Sequence, residues 1–248
     1  MKRAPFLVPL LFIAMALVLW EIIVRSLKVP AYLLPAPTAI LATADTQLLR
    51  HLLVTLAEAF LGFVIASVLA FAAALLFAHS PTMERGLFPI AITLKTTPLV
   101  AIAPLLVLWM GTGWLSKIAA AALISFFPVL VNTVKGLKAA DAEYFELFRS
   151  MHASAWQEFA KLRIPYCLPY LSSALKISSS LAIVGAIVGE FVGATQGLGY
   201  LIMVSSAHLE TDTLFSAIFA AALAGITLFH LLGWVERRLI FWQRLEDQ

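Results

Sequence analysis

The sequence predicts an all-α, polytopic membrane protein with six transmembrane helices, and three observations carry that prediction. Hydrophobic residues make up 62% of the 248 positions and charged residues only 12%, whereas a soluble domain is about half apolar and a quarter charged. The apolar residues fall into runs of about 20 or more, the length at which a helix crosses a bilayer. The mean hydropathy is +0.95, and although the isoelectric point is near 9.1, most basic residues sit at the ends of apolar runs. They read as topology signals, and no nucleic-acid partner is expected. The single cysteine, Cys167, excludes an internal disulfide framework, and the five histidines lie far apart without metal-ligand spacing. The chain is expected to bind no cofactor or metal of its own. The spans use most of the length, so a second soluble domain is not expected.

Met1-Lys2-Arg3 and the apolar run from Pro5 to Val24 could form a signal peptide, and Ala14-Met15-Ala16 imitates a cleavage site. The run continues through Trp20 to Val24, so a first membrane helix within residues 1–29 is the stronger reading. Pro30 to Thr38 is a proline-punctuated connector, with Thr38 the expected cap of a short helix. The second span is expected from His51 to Ala78, interrupted by Glu58, and His79-Ser80-Pro81 to Gly86 as a tight turn. The third, Leu87 to Met110, contains Lys95, Pro89, Pro98 and Pro104. Prolines free backbone carbonyls, and they either line a solvated pathway or are kinks that neighbours satisfy. After the Gly111-Thr112-Gly113 turn comes a fourth span, Leu115 to Leu137. A fifth, Tyr166 to Val192, holds Lys176, Glu190 and five serines, Ser172, Ser173 and Ser178 to Ser180. Gly185, Ala186, Gly189 and Gly193 permit close helix approach along it. Gly197 to Glu210 reads as a connector, Thr211 to Val235 as the sixth span, and residues 243–248 as a tail.

Between spans four and five, residues 139–165 are both charged and periodically apolar. Phe145, Phe148, Met151 and His152, then Trp156, Phe159 and Leu162, recur at helical spacing, with Glu146, Arg149, Gln157, Glu158 and Lys161 on the polar side. Two short amphipathic helices are expected, broken near His152. Ser154-Ala155-Trp156-Gln157 has the form of a capping box, so the second helix starts at Ser154. It is expected to end by Ile164, because Pro165 lacks an amide hydrogen and disfavours helix in the residue before it. The alternative is an amphipathic loop lying on the lipid surface.

Orientation follows from the basic residues. With the N-terminus inside, the cytoplasmic side carries Lys2, Arg3, Arg85, Lys135, Lys138, Arg149, Lys161, Arg163, Arg237, Arg238 and Arg244. The outside carries Arg25, Lys28, Arg50 and Lys117, and Lys95 and Lys176 fall within spans. Eleven against four places both termini, and the amphipathic segment, in the cytoplasm.

That segment resembles the EAA loop of permease subunits of binding-protein-dependent, type I ABC importers, whose pattern is Glu-Ala-Ala, three residues, Gly, nine residues, Ile-x-Leu-Pro. Laid on Glu146, the spacing puts Leu162, Ile164 and Pro165 in the last fixed places without a gap. Leu147 and Phe148 replace the alanines, and His152 replaces the glycine that supplies a positive φ. The resemblance extends over about residues 30 to 242: Thr97-Pro98-Leu99-Val100-Ala101 to Gly111-Thr112-Gly113 and Ser116-Lys117, Phe126-Phe127-Pro128 with Asn132-Thr133 and Gly136, Gly189-Glu190-Phe191, Gly197-Leu198-Gly199-Tyr200 and Thr211-Asp212. It is nearest the sulfonate, nitrate and taurine systems and those for riboflavin or pyrimidine vitamin precursors. The resemblance implies a permease domain over 30–242 in a bacterial inner membrane and a second copy of the chain. It also implies two ATPase subunits carrying ATP and Mg, and an extracytoplasmic solute-binding protein. No phosphate-binding Gly-Lys-Ser/Thr loop occurs in the sequence, so ATP hydrolysis is expected in another polypeptide.

On this reading Phe145, Phe148, Met151 and His152 fill a groove on the ATPase, with Glu146 and Arg149 as polar rim. Charges inside a span cost about 2.5 to 3.5 kcal/mol at a helix centre, which makes Glu58, Lys95, Lys176 and Glu190, with Pro98, candidates for the translocation pathway. Lys95 and Lys176 either form a cationic ring that meets anionic solutes or are cations that snorkel or bond carbonyls freed by Pro98. Glu190 is expected at an outer gate or helix contact; Glu58 has no partner that sequence can name. Two rivals are an ATP-independent secondary transporter and an intramembrane serine protease pairing one of Ser178 to Ser180 with His230, for which no G-x-S-x-G is present. Between a vitamin precursor or small heterocycle and an anion, the runs Lys95-Thr96-Thr97-Pro98 and Leu175-Lys176-Ile177-Ser178 lie closer to the vitamin-precursor branch.

Overall fold

The computed structural model describes residues 7–240 and is helical throughout, with no strand among the described residues. Lys2, Arg3, Arg244 and the 243–248 tail lie outside them. Five helices are long and apolar enough to cross a membrane, and a sixth span results if one sharply bent pair is counted as a single crossing.

α1 (Leu7–Ser26) is apolar all round from Leu7 to Trp20 and touches the rest near its C-terminal end. There the Trp20 ring meets Phe215 and Phe219, with centroids 5.8 and 6.1 Å away. α2 (Pro37–Ala42) begins at Ala36 with proline at its start, so Thr38 is not its cap. The Thr38 hydroxyl and amide instead donate to the Glu21 carboxylate at 2.8 and 3.1 Å, which ties α2 to α1. α3 (Thr46–His79) starts before the expected His51 because Asp45 accepts a hydrogen bond from the Leu48 amide.

The expected third span is two helices, α4 (Pro81–Thr96) and α5 (Leu99–Met110), bent by 99°. Of its three prolines only Pro98 breaks the chain. Thr97 before it is extended, at φ −73° and ψ 125°, the conformation that proline imposes on its predecessor. Pro89 and Pro104 stay inside their helices.

α6 (Trp114–Leu137) is the central helix, packed between α3 and α9 (Ile164–Glu190). Small residues set the approach: a methyl on Gly62 of α3 would stand 2.6 Å from Ala121 Cβ, and one on Gly185 of α9 2.7 Å from Ala121 Cα. Ser125 and Ser178 exchange hydroxyl-to-carbonyl bonds of 3.2 and 3.0 Å across the α6–α9 contact. Around them Ala70, Phe77, Val129, Leu130, Leu137 and Cys167 form one apolar cluster.

α7 (Ala142–Ser150) and α8 (Ala155–Glu158) form the hairpin after α6. The second of these does not end at Ile164. It runs through a five-residue π turn, Phe159–Arg163, directly into α9. The Ile164 amide reaches back five residues to the Phe159 carbonyl, and this wider turn carries the helix past Pro165, which has no amide to donate to an i−4 carbonyl. The expected connector after α9 contains a further helix, α10 (Leu198–Ala207), before α11 (Thr211–Leu239).

Candidate functional site

Two groups of candidate residues lie at opposite ends of α9. At its N-terminal end, His152 closes the α7–α8 turn at φ +52°, a left-handed conformation that suits glycine best and that His adopts at a modest cost. Behind it, the Ser154 hydroxyl accepts from the Gln157 amide at 3.3 Å and the Gln157 side chain accepts from the Ser154 amide at 2.8 Å. The capping box is complete. Arg163 braces the hairpin from the π turn: its guanidinium donates twice to Glu158, at 3.0 and 2.8 Å, and lies 5.0 Å from the Phe145 ring centroid.

The outward face differs from the sequence expectation. Phe145 and Phe148 are half-buried against their own chain, Phe145 through Arg163. Glu146, Arg149, Met151 and His152 are exposed. Leu147, which the periodicity assigns to no face, is 52% exposed, and Met151 and Trp156 are each 71% exposed. The exposed large apolar side chains of the hairpin are therefore Leu147, Met151 and Trp156, with Tyr144 at 43%. A helical wheel misses this because α7 is short and its inner stripe is claimed by Arg163 and Tyr166, the latter with its ring 5.8 Å from Tyr144. Beside Trp156 a cleft of about 530 Å³ runs between the end of α3 and the π turn, bordered by Leu76, His79 and Phe159.

At the other end, Glu190 is 1% exposed and caps the start of α10. One carboxylate oxygen accepts the Thr55 hydroxyl at 2.7 Å and the other accepts the Gly199 amide. Thr55 in turn accepts the Leu198 amide at 2.7 Å, and His51 Nδ1 accepts the Gly197 amide at 3.0 Å. Three successive amides of the α10 start are thus held by side chains of α3 and α9, which is how a buried helix end is satisfied. Gly197 has φ +107°, and a side-chain carbon there would overlap the Glu190 carboxyl.

Glu58, without a nameable partner in sequence, is 3% exposed and lies against Glu190. Lys117 completes the cluster. Sequence counts it among the outer basic residues and names no partner for it; it is 2% exposed, its ammonium donating to the Thr112 carbonyl and facing both carboxyls. The approach of α3 and α9 to α6 buries it, because Gly189 passes directly over its backbone. Lys117 stands three residues into a span, where burial and exposure look alike in sequence.

The remaining candidates separate. Lys176 is paired with Glu236 of α11 at 2.5 Å. Lys95 is exposed at the end of α4, with its ammonium 4.7 Å from the Phe127 ring centroid and no acidic partner among the described residues. Pro98 is the break itself. The hydroxyls of Ser178, Ser179 and Ser180 donate to the carbonyls of Ser125, Lys176 and Gly225, an arrangement that serves helix contact rather than nucleophilic chemistry. No metal-ligand cluster occurs among the described residues.

Comparison with known proteins adds an independent line. Residues 62–241 match the family model described as binding-protein-dependent transport system inner membrane component. The formylaminopyrimidine transport permease protein ThiX of Halalkalibacterium halodurans is 37% identical over 98% of this chain and 99% of that protein. The riboflavin transport system permease protein RibX of Chloroflexus aurantiacus is 35% identical over 92% and 87%. The putative aliphatic sulfonates transport permease protein SsuC of Bacillus subtilis is 32% identical over 98% and 90%. An inward-facing structure of the MetNI methionine ABC transporter superposes with a TM-score of 0.63 at 19% identity, covering 76% of this chain and 96% of that one, a likeness of fold.

Proposed function

Since the chain belongs to the family of binding-protein-dependent transport system inner membrane components, the permeases of ABC importers, we propose that two copies of it form the solute pathway of an ATP-driven importer. A separate ATPase engages the 141–165 segment, and an extracytoplasmic binding protein delivers the solute. ATP and Mg belong to the ATPase. Both termini and the α7–α8 hairpin face the cytoplasm.

The observation that carries the reading is the hairpin itself. A positive-φ turn, a complete capping box and the Arg163 brace hold a short helix rigidly, while Leu147 and Met151 stay exposed on its outer side. Apolar side chains held so at the end of a membrane helix are suited to a groove on a partner that changes shape. Phe145 and Phe148 shape the hairpin from inside, and Glu146, Arg149 and His152 flank the contact. The pathway residues we propose are Lys95 and Pro98 at the α4–α5 break, with Glu58 and Glu190 at the α10 end; Lys176, paired with Glu236, is a structural partner of α11 rather than a pathway residue. The solute is a small organic molecule, a vitamin-precursor heterocycle or a sulfonate-type anion, in keeping with the relatives named for formylaminopyrimidine, riboflavin and sulfonates.

The test is affinity capture of the tagged permease from its native membrane, with mass spectrometry of its partners, for the wild type and a Leu147→Ala, Met151→Ala variant. An ATPase captured with the wild type and lost from the variant supports the coupling hairpin. Absence of any ATPase from both overturns the importer reading and favours a transporter driven by an ion gradient.

A further inference from the structure

Lys95, Lys117 and Lys176 sit in apolar helices, and their surroundings differ. Lys117 has a carbonyl and two carboxyls about it, and Lys176 has Glu236. Lys95 has neither. It follows Pro81 by 14 residues, about 21 Å along the α4 axis, so it is far from the start of its helix, and the chain beyond it turns by 99°. An ammonium within a span costs about 2.5 to 3.5 kcal/mol on insertion scales, a cost that falls where a counter-charge or water reaches it.

The break supplies such a place. A cavity of about 300 Å³ lies between α4, α5 and α6, lined by Lys95, Thr97, Pro98, Ile102, Leu123 and Phe127 among others. Its volume is at the small end for ligand pockets. The hydroxyls of Thr96 and Thr97 both donate inward, to the Thr93 carbonyl at 3.0 Å, so the strong side-chain donor facing the cavity is the Lys95 ammonium. The Phe127 ring beneath it and the aliphatic side chains form an apolar wall. One cation over an apolar wall selects a small amphipathic anion.

We infer that the α4–α5 break is a solute subsite that takes the sulfonate, carboxylate or phosphate group of a small anion on Lys95 and its apolar body against Phe127, while Lys176 takes no part. This rests on the pathway reading above. It is tested with the permease and its co-purified partners in nanodiscs. Amines are labelled with pyridoxal phosphate and borohydride, in the presence of millimolar propanesulfonate or its neutral amide, propanesulfonamide. A Thr97→Cys variant reports separately on water access through a membrane-impermeant thiol reagent, because the single native cysteine, Cys167, is buried.

The expected result is labelling of Lys95, slowed about fivefold by propanesulfonate, as about 80% occupancy would give, and unchanged by the amide. Thiol labelling of the Thr97→Cys variant with no anion protection at Lys95 would leave the pathway standing and overturn the subsite. Failure of the thiol reagent to label that variant overturns both at this cavity. Loss of Lys95 labelling in nanodiscs of anionic lipid, with labelling kept in phosphatidylcholine, would make a lipid headgroup the counter-ion and also overturn the solute subsite.

Discussion

Glu190 occupies the volume that a side chain at Gly197 would need, so the two positions constrain each other. Gly197→Ala adds a carbon where the carboxyl lies and forces an L residue to φ +107°. A loss of about 2 to 4 kcal/mol is expected from left-handed strain and overpacking together, read as a lower denaturation midpoint of the purified protein in detergent. His152 is strained in the same sense but in open space. Replacement by glycine relieves its φ of +52° and should stabilise by up to about 1 kcal/mol, whereas valine should destabilise by about 1 to 2 kcal/mol. Thermal unfolding of both variants checks the order Gly, His, Val; valine as stable as histidine would show that the turn has rearranged. The local features were the legible ones. The capping box and the turn depend on residues within four positions of one another, so the sequence displays them. The Thr55–Glu190 bond and the Glu58–Glu190 contact join α3 to α9, and no local pattern announces them.

Among the elements, lengths read well from the sequence and interruptions read poorly. Pro89, Pro98 and Pro104 look alike in an apolar run, yet only Pro98 parts α4 from α5, where Thr97 has already left the helix. Pro165 misleads in the opposite direction: it reads as a stop, but the π turn before it lets the helix continue. That turn makes a prediction. Pro165→Ala restores an amide that can bond the Lys161 carbonyl, which favours α over π geometry. Removing one residue's worth of slack rotates the hairpin by about 100° about the helix axis, since one residue of a 3.6-residue turn subtends that angle. On the importer reading proposed above, the assembled transporter should keep the basal hydrolysis of its ATPase and lose several-fold in the stimulation given by loaded binding protein. Unchanged stimulation would mean that the hairpin's rotational setting does not matter.

For the whole molecule, composition and run length were enough to read a helical membrane protein, while the crossing number turns on one element. If the bent pair α4–α5 is a single crossing, Gly86 and Gly113 lie on opposite sides of the membrane; if it re-enters, they lie on the same side. Both glycines have open space around them, so Gly86→Cys and Gly113→Cys can be labelled with an impermeant thiol reagent in sealed vesicles of known orientation. Opposite labelling is expected, and labelling from one side would remove a crossing and with it the proposed cytoplasmic location of both termini. One consequence concerns mechanics. The helix from Ala155 to Glu190 is continuous over 36 residues, about 54 Å at 1.5 Å per residue. The hairpin proposed to meet an ATPase and the carboxylate that clamps α10 are therefore two ends of one helical rod. On the importer reading, a twist imposed at the hairpin would reach Glu190 through the backbone as a change of phase. The two ends are then joined by a single covalent rod, and the π turn is the joint within it.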